Sequence, residues 1–213
     1  ALALGLMAQS AVAKTINVVT SFSILGDITR QVGGDHVKVT SLVGPDGDPH
    51  TFEPSAKDSA LLNRADVVVV NGLGLEGWLD RLVKASGFKG QLVIASDGVQ
   101  THTLEEDGAA VTDPHAWNSA ANGALYAQNI LKALVKADPA DEAALNASGQ
   151  RYIEQLKEMD SWAKERFSAI PQAKRKVLTS HDAFGYFARA YGVEFMAPQG
   201  LSSESEANAS QVA

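Results

Sequence analysis

The chain has five histidines and no cysteine, so any transition-metal site must be built from nitrogen and oxygen donors. Three of the histidines have related settings. His50 lies in Gly44-Pro45-Asp46-Gly47-Asp48-Pro49-His50-Thr51-Phe52-Glu53-Pro54, where three prolines and two glycines leave the backbone few options. His115 lies in Asp113-Pro114-His115-Ala116-Trp117, and His181 in Ser180-His181-Asp182-Ala183-Phe184-Gly185-Tyr186-Phe187. Neutral imidazole is the commonest transition-metal ligand, and three of them suit zinc with one further position. His50, His115 and His181 are therefore read as one metal site. Asp113 or Glu53 could orient an imidazole from behind it. His36, in a turn before a strand, and His102, in an acidic loop where it could help capture metal, are read as solvated and outside the site.

Those histidines need elements to hold them. Ile16–Thr20, Val37–Val43, Val67–Val70 and Leu92–Ala95 read as strands. The four valines 67–70 mark a central parallel strand buried on both faces. Between them, Phe22–Val32 has helical spacing with Ser21 or Ser23 as cap, and Ser55 can cap a short helix through Asn63. Leu75–Ala85 places Trp78, Leu79 and Leu82 on one side. This alternation predicts a parallel sheet with helices on both faces. Residues 97–112 are polar and read as a surface loop. Asn118–Val135 is helical, and Asp138-Pro139 ends it, with Asp138 able to cap the next helical segment. From Pro139 to Ile170 apolar residues recur at three- and four-residue steps, including Tyr152, Ile153, Leu156, Met159, Ala163, Phe167 and Ile170. That predicts one long amphipathic helix, able to join two lobes rigidly.

After Pro171 the alternation restarts: strand Val177–Thr179, helix Ala183–Tyr191, strand Val193–Met196 and a helix start at Ala207–Ala213. The fold class is α/β, with two lobes of parallel sheet flanked by helices, joined by one long helix, the second lobe incomplete. The expected division is a signal-peptide remnant 1–13, a first lobe 14–138, the connecting helix 139–170 and the opening of a second lobe 171–213. In open α/β sheets ligands bind beyond the carboxyl ends of the strands. His50, His115 and His181 point to one edge if the lobes face each other.

Composition narrows the function classes. Hydrophobic residues make up 45% and charged residues 20%, with net charge -7 and no basic cluster to suggest nucleic acid. The apolar run Ala1–Met7 and the small-x-small Ala11-Val12-Ala13 read as the end of a secretory signal, which places the mature protein in the periplasm or outside the cell. The run is too short for a membrane span. The missing cysteine excludes disulfides, a thiolate nucleophile and a lipid-anchored cysteine within these 213 residues. Phosphate-loop, zincin and hydrolase-elbow motifs are absent. Gly72-Leu73-Gly74-Leu75-Glu76-Gly77 has dinucleotide-loop glycine spacing but comes after the third strand, and is read as a tight turn.

The segments around His50, His115 and His181, together with Val70-Asn71-Gly72-Leu73-Gly74-Leu75-Glu76-Gly77-Trp78 and Gln199–Glu206, resemble periplasmic zinc/manganese-binding proteins of ABC transporters, of cluster A-I type. The resemblance implies two lobes with the metal between them and His50, His115 and His181 as ligands. It also implies a fourth ligand, an aspartate beyond residue 213. A histidine where manganese- and iron-preferring relatives often have glutamate leans toward zinc, with manganese the alternative. A loop 97–112 with only His102 lacks the histidine-rich stretch of many zinc-specific relatives. The expected role is capture of a divalent metal and its delivery to a membrane permease, without catalysis. Two competing roles are a zinc-dependent hydrolase and an adhesin. Three histidines with an open position could activate water in the first, and the sequence offers nothing for or against the second.

Overall fold

A computed structural model describes residues 14–106 and 108–197. The signal-peptide remnant, the Gln199–Glu206 segment and the helix expected from Ala207 lie outside them. Strands β1 (Ile16–Phe22), β2 (Val37–Val43), β3 (Val67–Val70) and β4 (Gln91–Ile94) form one sheet in the order β2-β1-β3-β4. Every pairing in it is parallel. All four valines of β3 are buried, as a central strand covered on both faces requires.

Helices α1 (Ser23–Gly33), α2 (Ala56–Asn63) and α3 (Leu79–Ser86) make the crossovers. The chain runs from β1 outward to β2, then back across β1 to β3. With right-handed crossovers, α1 must cover one face and α2 and α3 the other. α1 packs with α4 (Ala120–Ala137) and α5 (Glu142–Ser168), while α2 packs with α3. The order of connection therefore reverses between β1 and β3. The crevice beyond their carboxyl ends is the place this topology offers a ligand.

Local chemistry moves three boundaries from their sequence reading. α1 has neither serine as its cap: Phe22 holds that position with no side-chain bond. Ser21 Oγ instead donates to Glu76 at 2.6 Å, and Ser23 is already helical. α3 starts at Leu79 rather than Leu75, because Gly72, Leu73 and Gly74 all have positive φ. The buried Glu76 carboxylate also accepts from the amides of Asn71 and Gly72, pinning that stretch as a turn. Residues 97–112 are not simply a loop, since β5 (Thr103–Glu106) and β6 (Ala109–Thr112) pair antiparallel. The sequence between them is Asp107-Gly108, and Gly108 has φ 76°.

A short 3-10 turn, Pro139–Asp141, capped by Asp138, leads into the 27-residue α5. Its first half is core: Leu145 and Ile153 are buried, and Gly149 lies so close to Leu131 of α4 that a Cβ there would sit 2.8 Å from its methyl carbons. Its second half departs from the expected apolar seam. Met159 and Trp162 are exposed, as is Ile170 just past its end, and only Asp160 and Ala163 are buried in that half. Past α5, β7 (Lys176–Leu178) and β8 (Glu194–Met196) pair parallel around α6 (Gly185–Tyr191). Ala163, Tyr191 and Val193 form a small second core there.

Candidate metal centre

His50 is placed by the rigid loop after β2. Its amide donates to Asp48 Oδ1 at 2.8 Å, and the preceding carbonyl of Pro49 accepts from Trp78 Nε1 at 2.9 Å. Phe52 packs edge-on against the same indole, with ring centres 5.0 Å apart. Ser55 and Asp58 then close a capping box at the start of α2, which stops the loop from unwinding into the helix.

His115 is tied to the sheet from the other side. Asn71, at the end of β3, donates from Nδ2 to the carbonyl of Pro114 at 2.9 Å and accepts from the Tyr126 hydroxyl at 2.6 Å. The His115 ring is buried. Asp113 Oδ1 accepts both its amide (2.9 Å) and its Nδ1–H (2.8 Å). With the hydrogen on Nδ1, the Nε2 lone pair is left for the cavity, the tautomer a metal ligand needs. His181 comes after β7. Thr179 Oγ1 donates to the His181 carbonyl, and Asn118 Nδ2, just past His115, donates to the carbonyl of Ala183 at 2.7 Å.

The three imidazoles line one cavity of about 190 Å³, with Asp48 at its wall and the aromatic rings of Phe22 and Trp117 beside it. His50 Nε2 and His115 Nε2 are 3.1 Å apart, and the His115 and His181 ring centres are 5.8 Å apart. Two nitrogens about 2.0–2.1 Å from one tetrahedral zinc would stand about 3.3 Å apart, so the observed spacing is close to that of two ligands of one ion. Among the described residues, no group of three His, Asp or Glu side chains stands in a geometry that would hold a metal ion as it is.

Burial, then the neighbouring His115, pushes the His50 imidazole down to about 4, with Asp48 opposing. His181 is lowered for the same two reasons. Both rings are thereby biased toward the neutral, ligating form. Asp182, beside the cluster, is raised by burial and by the nearby Asp113 carboxylate.

Of the two carboxylates expected behind the site, Asp113 takes the role. Glu53 lines a different hollow, with Ser55 and Trp78. His36 is partly exposed, as its turn setting suggests, and its Nδ1 also pairs with Asp141 Oδ2 at 2.8 Å. His102 is not solvated: its side chain is 10% exposed and its ring lies on Tyr186 with centres 3.9 Å apart. The Asp-Gly hairpin signal could have placed His102 just before a strand. Nothing local points to Tyr186, 84 residues away.

Residues 18–213 match the family model described as zinc-uptake complex component A, periplasmic. The chain belongs to this family. The metal ABC transporter substrate-binding lipoprotein SsaB of Streptococcus sanguinis is 35% identical over 204 residues. The manganese ABC transporter substrate-binding lipoprotein PsaA of Streptococcus pneumoniae is 36% identical over the same length. Each alignment takes in 92% of this chain and 66% of the relative, so the chain spans slightly under two thirds of their length. The solved structure of the periplasmic zinc binding protein TroA from Treponema pallidum superposes with a TM-score of 0.84 at 30% identity. That superposition covers 92% of this chain and 71% of TroA. Zinc and manganese thus both occur in the names of relatives. The α/β fold with a parallel sheet flanked by helices is shared with TroA. No described helix is long and apolar enough to cross a membrane.

Proposed function

We propose that this chain captures a divalent transition metal outside the cytoplasm and delivers it to the membrane permease of an ABC transporter. His50, His115 and His181 are its protein ligands. The observation that carries the reading is the convergence of these three imidazoles on one cavity, with Asp113 fixing His115 in the ligating tautomer. Nitrogen ligands suit zinc, which is the first expectation, and manganese is the second. The family description and the relatives' names support metal transport and an extracytoplasmic place, and the periplasm is the compartment proposed. The division into a first lobe 14–138, a connecting helix 139–170 and a second lobe from 171 belongs to the same proposal. It is supported by the two separate core clusters.

The function is binding, not turnover. The relatives' names describe substrate-binding components, which favours this reading over the zinc-dependent hydrolase. The test is competition against a zinc chelator, with manganese run in parallel. Alanine at His50, His115 or His181 should each weaken zinc binding by more than about 100-fold, beyond the roughly 10–100-fold typical of an outer-shell partner. Alanine at His36, bonded to Asp141 instead, should leave affinity unchanged. A His115→Ala variant that binds like the parent would overturn the site. Hydrolysis above that of free zinc, lost in the same variant, would overturn the non-catalytic reading.

A further inference from the structure

Asp113 is buried, and its two oxygens face different partners. Oδ1 holds His115, while Oδ2 looks toward His102 Nδ1 at 3.8 Å. That distance is too long for a hydrogen bond but within electrostatic reach. The His102 ring has little freedom. It lies on Tyr186, whose hydroxyl donates to the Asp113 carbonyl at 2.9 Å. Gly185 closes the other side: a Cβ there would sit 2.7 Å from Asp113 Oδ2 and 2.8 Å from His102 Cε1. His102 Nε2 is buried without a hydrogen-bond partner. Leaving that nitrogen bare costs free energy, so an ordinary packing role would favour an apolar side chain here. What the imidazole adds is a ring nitrogen, Nδ1, turned toward the second oxygen of Asp113, where it can present an N–H.

We propose that His102 is a positioning residue for metal binding, acting through Asp113 on His115. With the His102 ring set beside Oδ2, within electrostatic reach, Oδ1 stays in the plane that receives both His115 donors. The His115 Nε2 lone pair then stays aimed at the cavity. Tyr186, which sits in α6 a few residues past His181, completes the clamp. The packing of α6 against the hairpin loop is in this way coupled to the orientation of the innermost ligand. The proposal rests on the three-histidine site.

The test is a set of variants measured by zinc-chelator competition, with far-ultraviolet circular dichroism as a check of folding. His102→Ala should weaken zinc binding about 10-fold, the lower end of the range for a ligand's direct outer-shell partner, because it acts one step further out. His102→Asn, whose amide nitrogen falls near the position of Nδ1, should recover most of that loss. His102→Gln, whose amide reaches toward Nε2, should not. In an Asp113→Ala background, His102→Ala should have no further effect, because the residue through which it acts is gone. The proposal is overturned if His102→Ala binds zinc like the parent while His115→Ala loses it. It is equally overturned if Asn and Gln behave alike, or if the His102 effect persists undiminished without Asp113, since packing alone would then explain it. Unchanged binding in His115→Ala would instead remove the metal site itself, and this inference with it.

Discussion

Asp113 is the residue that holds His115, the innermost of the three histidines. It fixes the His115 tautomer through a 2.8 Å bond to Nδ1 and supports the loop through the His115 amide. Asp113→Asn keeps the shape but replaces the carboxylate with a neutral amide. Zinc affinity should fall about 10–100-fold by chelator competition, and unchanged affinity would count against the orienting role. His50 supplies a pH prediction for the metal-free chain. Its imidazole is held at about 4 in the fold, against about 6.5 when unfolded. Between those values the unfolded state binds a proton that the folded state refuses. Its contribution to stability is therefore fully present above about pH 6.5 and lost as pH falls toward 4. His50→Ala should flatten this part of the stability-against-pH curve in urea melts, and an identical slope in both proteins would contradict it. The three histidines of the proposed site are legible in the sequence because each sits in a loop or turn after a strand, marked by Pro49 and Pro114 for two of them. The settings of His36 and His102 are not, because their partners, Asp141 and Tyr186, are distant in sequence and meet them only once the chain has folded.

At the scale of elements, the helix and loop chemistry that positions His50 is separable from the metal chemistry. Ser55→Ala removes the capping box of α2 and should cost about 1 kcal/mol in chemical denaturation. It should leave zinc affinity within about 3-fold, because the His50 loop is also held by Trp78 and Asp48. A destabilisation near zero would show that the cap contributes nothing to this helix. Gly185→Ala tests the opposite side of the site. Its methyl would collide with Asp113 Oδ2 and His102 Cε1, so it should weaken zinc binding, and unaltered binding would show that α6 yields freely. The Ser55 cap and the β3 valines can be read directly, since capping and full burial are local signals. The start of α3 cannot, because it depends on Glu76 turning inward to meet amides of its own turn and Ser21 of another strand.

Across the whole molecule, the site is assembled where the sheet's connections reverse. His50 and His115 come from loops beyond the carboxyl ends of the first sheet, and His181 from a loop beyond β7 of the second. Asn118–Ala183, Tyr186–Asp113 and Tyr191–Ala120 are hydrogen bonds that hold the His181 region onto the first sheet's loops. The parallel alternation and the ligand edge are legible in the sequence, since both derive from strand order and handedness. These cross-links are not, because each joins residues more than 60 positions apart. The central claim is that one ion is bound by three imidazoles of this chain. X-ray absorption at the zinc edge on the loaded protein tests it most directly, because imidazole scattering is distinct from that of carboxylate or water. We expect about three imidazole nitrogens at about 2.0–2.1 Å, and one fewer in each of His50→Ala, His115→Ala and His181→Ala. An oxygen-dominated shell without imidazole scattering, or a shell unchanged by all three substitutions, would contradict it.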